Sequence, residues 1–566
     1  MAVQSSPLVS ETLAQLLPGK AHPRLNAMLA KVLQLEQLDQ IYLAARPGEG
    51  GGAFARRILK ELDVRARVTE EDLARIPKHG PVVAVANHPF GMVEGALLAG
   101  LLPQVRPDVR ILANHLLSFA PEFDSLLIPV DPFGGPDAAK RNAAGLRSAL
   151  EWLEQGGLLV VFPSGEVSHF DFKRRGISDP EWNCTAVRLA RRTKAQLLPL
   201  YFHGANSALF QAAGVVHPKL RTLLLPHEFV NKRARSIELR VGTGVTPERI
   251  AALDDERATD LLRHRTYMLR HRRRPRRRLA LQRRLISPVP PDAIELELSR
   301  LSPLLSLGNF QIFQARAGEI PATLREIGRR REESFRVAGE GTGHSFDLDR
   351  FDQHYWQLFL WDRTERRLAG GYRLCPTDAV RPDELYTHSL FRYGADLLER
   401  LHPALELGRS FVAPEYQRSY QPLHLLWKGI GAWLVRNPRY RYLFGPVSIS
   451  SLYHPLSRNL MMQFLERECR DDDLSRLVSP RKPARRKKSS GPPPADFDEL
   501  SSLVSDIEPG RQAPPVLLRH YLNLGGRILG FNVDKEFGHA LDALLVVDLR
   551  RAPKRTLDRY LGKSRE

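Results

Sequence analysis

The sequence predicts an α/β fold in two successive domains, and three observations carry that prediction. Short strand-like runs alternate with apolar helical stretches between residues 76 and 250, the pattern of a sheet flanked by helices. A second alternation begins near Leu301, beyond a proline-ended, arginine-rich stretch. At 566 residues the chain exceeds what one hydrophobic core supports, and 43% hydrophobic with 26% charged residues is the balance of a globular protein.

Residues 1–75 read as a helical segment. Apolar residues recur at spacings of three and four over Glu11–Leu17, Leu25–Ala45 and Ala53–Leu62, with a flexible turn at Gly48–Gly52. The first α/β domain spans 76–250, with strands near 81–86, 108–113, 158–162, 196–202 and 236–241. Residues 251–300 read as a basic linker: a charged helix, the run Arg272–Arg278, then Pro288, Pro290 and Pro291. The second domain spans 301–566. It has a helix over Ile320–Glu333, where Pro321 suits an early helical position. Strands follow at Gln357–Trp361, Leu368–Leu374 and Ala404–Val412, then a helix from Pro422 to Leu434 and a strand over Tyr442–Val447. Prolines and charges over 470–513, including Gly491-Pro492-Pro493-Pro494, read as a disordered insertion. Order resumes with the helix Pro515–Leu522, the stretch Gly525–Asp534 and the strand Asp542–Leu549.

Cys184, Cys375 and Cys469 lie far apart without metal-ligand spacing and read as reduced thiols, so no metal is expected. Residues 1–30 lack a signal-peptide pattern, and no run approaches the ~20 apolar residues that span a bilayer. The net charge is +20, concentrated in Arg263–Arg284 and in Arg481–Lys488. Such runs suit nucleic acid, the anionic face of a membrane, or a solvated linker.

The most informative stretch is Asn87-His88-Pro89-Phe90-Gly91-Met92-Val93-Glu94, between the strand Pro81–Ala86 and the apolar helix Ala96–Leu102. An imidazole on a strand-to-helix turn, with a carboxylate in the next helical turn, is a base with its orienter. A second strand-turn signal follows at Phe162-Pro163-Ser164-Gly165-Glu166-Val167-Ser168-His169. Together with Leu198–Gly204, these blocks resemble the glycerolipid acyltransferase superfamily, which moves acyl chains from thioester carriers to lipid hydroxyls. The resemblance implies catalytic roles for His88 and Glu94. It implies substrate contacts from Asn87, Gly91, Phe162, Pro163, Ser164, Gly165, Glu166 and Ser168. Glu94 stands one residue further from His88 than the family's aspartate, and Val167 replaces the family's phosphate-binding arginine. Lys140, Arg141 and Arg147 are the candidate replacements, and the loss of that arginine also fits an acceptor without phosphate.

The second half resembles GCN5-related N-acetyltransferases through Ala369–Leu374 and Leu405–Val412, and ornithine N-acyltransferases through Glu406-Leu407-Gly408-Arg409-Ser410. That resemblance implies Glu406 as the base and Arg336, Arg409 and Tyr416 as substrate-binding residues. Glu406 and Arg409 also fit a strand-edge ion pair, and Glu332, Glu333 and Arg336 a solvated helix face. Gln417–Leu423 has no glycine where coenzyme A users cradle pyrophosphate. Acyl carrier protein is therefore the expected donor, as a thioester substrate with no resident cofactor; its acidic surface suits a basic chain.

Fused in this order, the two halves resemble bifunctional ornithine-lipid synthases. The expectation is N-acylation of ornithine with a 3-hydroxyacyl group, then O-acylation of the lyso-ornithine lipid. The basic segments would meet a membrane surface from the cytoplasmic side, with no nucleic acid partner. Glycine, lysine or glutamine as acceptor, a single-activity lysolipid acyltransferase, and a basic nucleic-acid-binding protein are the alternatives.

Overall fold

The structure is a computed structural model that describes residues 31–46, 50–114, 121–131, 138–172, 175–272, 282–485, 491–508, 510 and 513–561. It divides into two compact units, Met1–Arg272 and Arg273–Glu566.

Among the described residues the first unit holds nine strands: β1 (Arg65–Arg67), β2 (Val82–Ala86), β3 (Val109–Asn114), β4 (Leu127–Val130), β5 (Leu158–Val161), β6 (His169–Asp171), β7 (Gly176–Ser178), β8 (Gln196–His203) and β9 (Ser236–Val241). Seven of them form one sheet in the order β1-β9-β8-β2-β5-β3-β4, and β6 and β7 form a separate hairpin. Every pairing in that sheet is parallel except β8 with β9. β2 is central and buried on both faces, which is why it reads as an unbroken apolar run. Val82, Ala84 and Ala86 join one core with the helices Leu35–Ala45, Gly51–Glu61 and Val93–Leu101. Val83 and Val85 join the opposite core with Ala149, Leu153, Ala186 and Leu261.

The five expected strands are present. β1, β4 and the β6–β7 hairpin were not anticipated, being three or four residues long and only partly buried. Glu11–Leu17 lies outside the described residues. The flexible turn expected at Gly48–Gly52 is corrected for its described part, because Gly51 opens the helix Gly51–Glu61. The charged helix before the arginine-rich stretch is Asp255–Met268, and its Ala258, Leu261 and Leu262 pack into the first unit's core.

The second unit holds an eight-stranded sheet ordered β10 (Leu305–Leu307), β11 (Phe310–Arg316), β12 (Trp356–Asp362), β13 (Arg367–Pro376), β15 (Ala404–Val412), β16 (Tyr442–Ile449), β19 (Ala540–Asp548) and β18 (Arg527–Asp534). β15 with β16 is its one parallel pairing. That pairing covers only Ala404–Glu406, while β16 continues beside β19 to Ile449. β15 and β16 therefore diverge after Glu406. Helix Pro321–Ala338 covers one face through Ile327 and Phe335, against Phe359, Trp361 and Phe411. Helix Gln421–Arg436 covers the other, where Gly429 lets it approach Ile312 and Leu358.

The disordered insertion expected over 470–513 is corrected for its described residues. β17 (Val478–Pro480) pairs with β14 (Phe391–Tyr393), and helix Phe497–Ile507 buries Leu500, Leu503, Val504 and Ile507. Those four residues carry helical spacing that the surrounding prolines and charges obscured.

Candidate active sites

His88 leaves the carboxyl end of the central strand β2, where ligands bind in open α/β sheets. Asn87 fixes that departure point. Its amide donates to the Phe202 carbonyl at 2.9 Å and accepts from the Phe202 amide at 2.7 Å, tying β2 to β8. The His88 amide donates to Asp179 Oδ1 at 3.1 Å, and its carbonyl accepts from the Ser168 amide at 2.8 Å. Asp179 is itself held by the Ser168 hydroxyl and by Trp182 Nε1 at 2.9 Å.

Glu94 sits in the first turn of helix Val93–Leu101, where the helix dipole favours a carboxylate. It is fully buried, and its Oε1 accepts from the amides of Phe90 at 2.5 Å and Gly91 at 3.2 Å. The same Oε1 lies 3.4 Å from His88 Nδ1. Among the described residues His88 Nδ1 and Glu94 Oε2 have no hydrogen-bond partner, so the pair is closed by proximity alone. The Phe162 ring lies 4.4 Å from the imidazole. With Nδ1 facing the carboxylate, Nε2 is left to meet a hydroxyl. Gly91 has φ of 97°, and a Cβ there would meet Leu225 at 2.7 Å, so the turn requires glycine.

The second block wraps this pair. Gly165 has positive φ, and Pro163 accepts from the Asn183 backbone and side-chain amides. The hydroxyl of Ser164, an expected substrate contact, donates to the Glu166 carbonyl at 2.7 Å and braces the turn. Glu166 is exposed and 3.5 Å from Arg221. Arg141 falls on helix Ala138–Glu154, and its side chain lies outside the described residues.

The second unit has a buried charge network under the β13–β15 pairing. Arg331 donates to Asp352 Oδ1 at 2.8 Å and to Gln357 Oε1 at 2.7 Å. Arg373, fully buried, donates to Asp349 Oδ1 at 2.6 Å and lies 3.4 Å from Asp352. Arg409 lies 3.4 Å from both Asp347 and Asp349. Burial pushes against ionisation of Asp352, but Arg331 and Arg373 override it and hold the carboxyl below its usual range. For Asp347 burial wins, and its pKa is raised despite three arginines.

Glu406, the expected base, lies among hydrogen-bond donors. Its carboxylate is buried and accepts from the Tyr355 hydroxyl, the Thr387 amide at 2.6 Å and the Tyr386 amide at 3.2 Å. Burial raises its pKa, but its oxygens anchor the Tyr386–Thr387 turn rather than facing open space. Arg336 is bound to Glu332 at 2.7 Å and to the His344 carbonyl at 2.6 Å. The Tyr416 hydroxyl donates to Asp362 at 2.8 Å. Arg409 alone of the expected C-terminal residues faces a further cluster, with its guanidinium 5.0 Å from the Tyr386 ring and 4.7 Å from the Phe537 ring. There the Tyr386 hydroxyl donates to Asp534 at 3.4 Å, and Ser448 Oγ donates to Asp542 Oδ1 at 2.7 Å. Asp542 Oδ2 is buried without a hydrogen-bond partner among the described residues. Burial, reinforced by the Asp534 charge, pushes the Asp542 carboxyl up to about 7.

Sequence reasoning missed Asp179, the three aspartates of Asp347–Asp352, Arg331 and Arg373, and gave no role to Asp534 or Asp542. The acid-rich, aromatic-bearing string Asp347-Leu348-Asp349-Arg350-Phe351-Asp352 was the available signal.

An acyltransferase family model matches residues 49–273, and an acetyltransferase (GNAT) domain model matches 330–428. The glycine N(alpha)-acyltransferase of Bacteroides thetaiotaomicron is 33% identical over 292 residues, covering 47% of this chain and 86% of that protein. A protein of the same description from Phocaeicola vulgatus is 34% identical over 216 residues, covering 35% and 66%. The lyso-glycine lipid O-acyltransferase of Phocaeicola vulgatus is 28% identical over 226 residues, covering 38% and 76%.

A strand-end His–Glu pair in one unit and a sheet of GNAT type in the other define an acyltransferase built from two acyltransferase domains. The chain belongs to the acyltransferase family of the Bacteroides thetaiotaomicron protein.

Proposed function

We propose that the protein makes a diacylated amino-acid lipid in two steps. The C-terminal unit transfers a 3-hydroxyacyl group from acyl carrier protein to the α-amine of an amino acid. The N-terminal unit then esterifies the free 3-hydroxyl from a second acyl thioester. The observation that supports this most is two separate buried carboxylates in one chain: Glu94, 3.4 Å from His88, and Asp542, which accepts from the Ser448 hydroxyl.

In the O-transfer step, His88 Nε2 takes the proton of the lipid hydroxyl as its oxygen attacks the thioester carbonyl. Glu94 orients the ring and stabilises the imidazolium. The proton then goes to the departing thiolate. In the N-transfer step the attacking amine must be neutral. Asp542, with a carboxyl near 7 and one free oxygen, takes over the role of proton acceptor expected of Glu406. Amide bond formation releases the thiol.

Ornithine is the acceptor favoured here, because Asp534 and Asp542 in one cluster suit a substrate with a second ammonium. Glycine is the second reading, favoured by the similarity to a glycine N(alpha)-acyltransferase and a lyso-glycine lipid O-acyltransferase. Docking is proposed at the cytoplasmic face of the membrane through the basic segments; no described helix is long and apolar enough to cross a bilayer.

Mass spectrometry of lipids from a host without amino-acid lipids, with and without this chain, tests the reading. A new diacylated species whose head group fragments to ornithine is expected. A glycine head group transfers the assignment to the second reading, and absence of any acylated amino acid overturns both.

A further inference from the structure

We propose that an apolar face beside the His88 site inserts into a lipid bilayer, an inference that rests on the reading that the O-transfer acceptor is a lipid. Two parts of the first unit build this face. The β6–β7 hairpin exposes Phe170, Phe172 and Ile177. The helices Ala208–Val216 and Pro218–Leu223 expose Leu209, Val215, Val216 and Leu220. The Phe170 amide donates to Gln211 Oε1 at 2.9 Å, so the hairpin and the first of these helices lie side by side. Among the described residues the only other large apolar side chains that the first unit exposes are Val32 and Leu43. Exposed apolar residues gathered in one place mark an interaction surface, whereas single ones need no explanation.

Helix Ala208–Val216 shows the feature most clearly. Gln211 is its one polar side chain, yet Phe210 is the one residue it buries. An apolar helix ordinarily turns its surface to a core, and this one leaves Leu209, Val215 and Val216 in solvent. Covering them is favourable in proportion to their apolar area, and the acyl boundary of a bilayer supplies that cover.

The face adjoins the catalytic pair. β6 starts one residue after Ser168, whose amide donates to the His88 carbonyl at 2.8 Å. Val167, just before it, and Leu225, two residues past helix Pro218–Leu223, both border Gly91. Hairpin and helices are therefore tied to the turn that carries His88. A lyso-lipid acceptor and its diacylated product both reside in a bilayer, so insertion here brings the imidazole to the lipid hydroxyl without drawing acyl chains through water.

The charges fit an anionic bilayer. Lys173-Arg174-Arg175 follow Phe172 in the sequence, and Ala208–His227 contains Lys219 and Arg221 but no acid. The neighbouring acids are Asp171, in β6, and Glu166, which lies 3.5 Å from Arg221. Apolar side chains among cations enter the acyl boundary while the cations meet lipid phosphates. Docking of this kind differs from attraction of the arginine-rich segments, because salt screens charge and leaves apolar insertion in place.

Co-sedimentation of the full chain with vesicles of phosphatidylcholine and a minority of phosphatidylglycerol tests the face without turnover. Wild type is expected to stay bound at about 0.5 M salt, where charge attraction reaches only a few ångströms. The double variant Phe172→Ser/Val216→Ser changes side chains that are 70% and 78% exposed, so its unfolding midpoint should match wild type. Its partition onto vesicles at the higher salt should fall roughly tenfold or more. Complete release of wild type by salt, or a variant that partitions as wild type does, overturns the proposal. A variant that instead loses self-association or acyl carrier protein binding, with its vesicle partition kept, assigns the face to that partner and overturns it as well. In turnover, the variant should slow O-acylation of lyso-lipid held in vesicles roughly tenfold and acylate a water-soluble, short-chain 3-hydroxyacyl amino acid at the wild-type rate. Equal losses with both acceptors would place Phe172 and Val216 in the site itself and overturn docking. If wild type acylates neither acceptor, the O-transfer reading fails, while the sedimentation comparison still decides the face.

Discussion

The two units build their candidate sites by opposite constructions. The first uses one imidazole and one carboxylate, buried beside Phe162, with Nδ1 and Oε2 unpartnered among the described residues. The second surrounds its site with three arginines and three aspartates that bind one another in the interior. The His88 pair hangs on a backbone turn that amides and a glycine have already shaped, so its side chains carry chemistry more than fold. The Arg331–Asp352–Arg373 network is part of what holds β12, β13 and helix Pro321–Ala338 together, so its residues carry both. A site of the first kind breaks without unfolding; a site of the second kind does not.

The strongest test of that contrast is His88→Ala. O-acylation of lyso-lipid should fall roughly 10²–10⁴-fold, the range for loss of a positioned general base. N-acylation should continue, so the lyso species accumulates, and the unfolding midpoint should stay close to wild type. A midpoint that collapses would place His88 among structural residues and end the contrast.

In the second unit the expected effect falls on stability. Asp352→Ala leaves two buried guanidiniums without their shared carboxylate, and breaking such a pair typically costs about 3–5 kcal/mol. Urea denaturation should show the C-terminal transition moving to lower denaturant while the N-terminal transition stays. N-acylation would be lost with the fold. A stable but inactive Asp352→Ala would mean that the network serves catalysis alone.

The same contrast explains what was legible in the sequence. β2 and β5 are buried on both faces, so their runs are uniformly apolar and their ends sharp. His88 and Glu94 lie within one strand–turn–helix, where local spacing decides who meets whom. Arg331, Asp352 and Arg373 meet across a helix, a loop and a strand, and no periodicity in the chain records that meeting. The partners of Glu406 were hidden for the same reason: Tyr355 and Thr387 come from distant segments that close over it. β1 and β4 escaped because three or four partly buried residues carry too little pattern.

A smaller effect is expected at Gly91, where the first site meets its backbone. Gly91→Ala forces a side chain into positive φ and against Leu225, a strain of about 1–3 kcal/mol. The turn that carries the Phe90 and Gly91 amides to Glu94 should open. O-acylation should drop while N-acylation is untouched, and thermal unfolding should report a modest loss. Unchanged O-acylation would show that Glu94 needs no amide support to orient His88.

The mildest test is a titration. The folded-state pKa of Asp542 is raised to about 7 from an ordinary aspartate value, first by burial and then by the Asp534 charge. Below that pH the carboxyl is protonated and cannot take an amine proton, so N-acylation should rise with pH through about 7 under saturating substrate. A raised carboxyl pKa also means that the unfolded chain releases this proton at lower pH than the folded one. Stability should therefore fall as pH climbs from the ordinary aspartate value toward 7. Asp542→Asn removes the titrating group. It should flatten that stability slope and the rate rise together, although Ser448 can still donate to the remaining amide oxygen. A rate profile that keeps its rise in Asp542→Asn would take the base away from Asp542, whereas a flattened stability slope alone would leave it a buried structural acid.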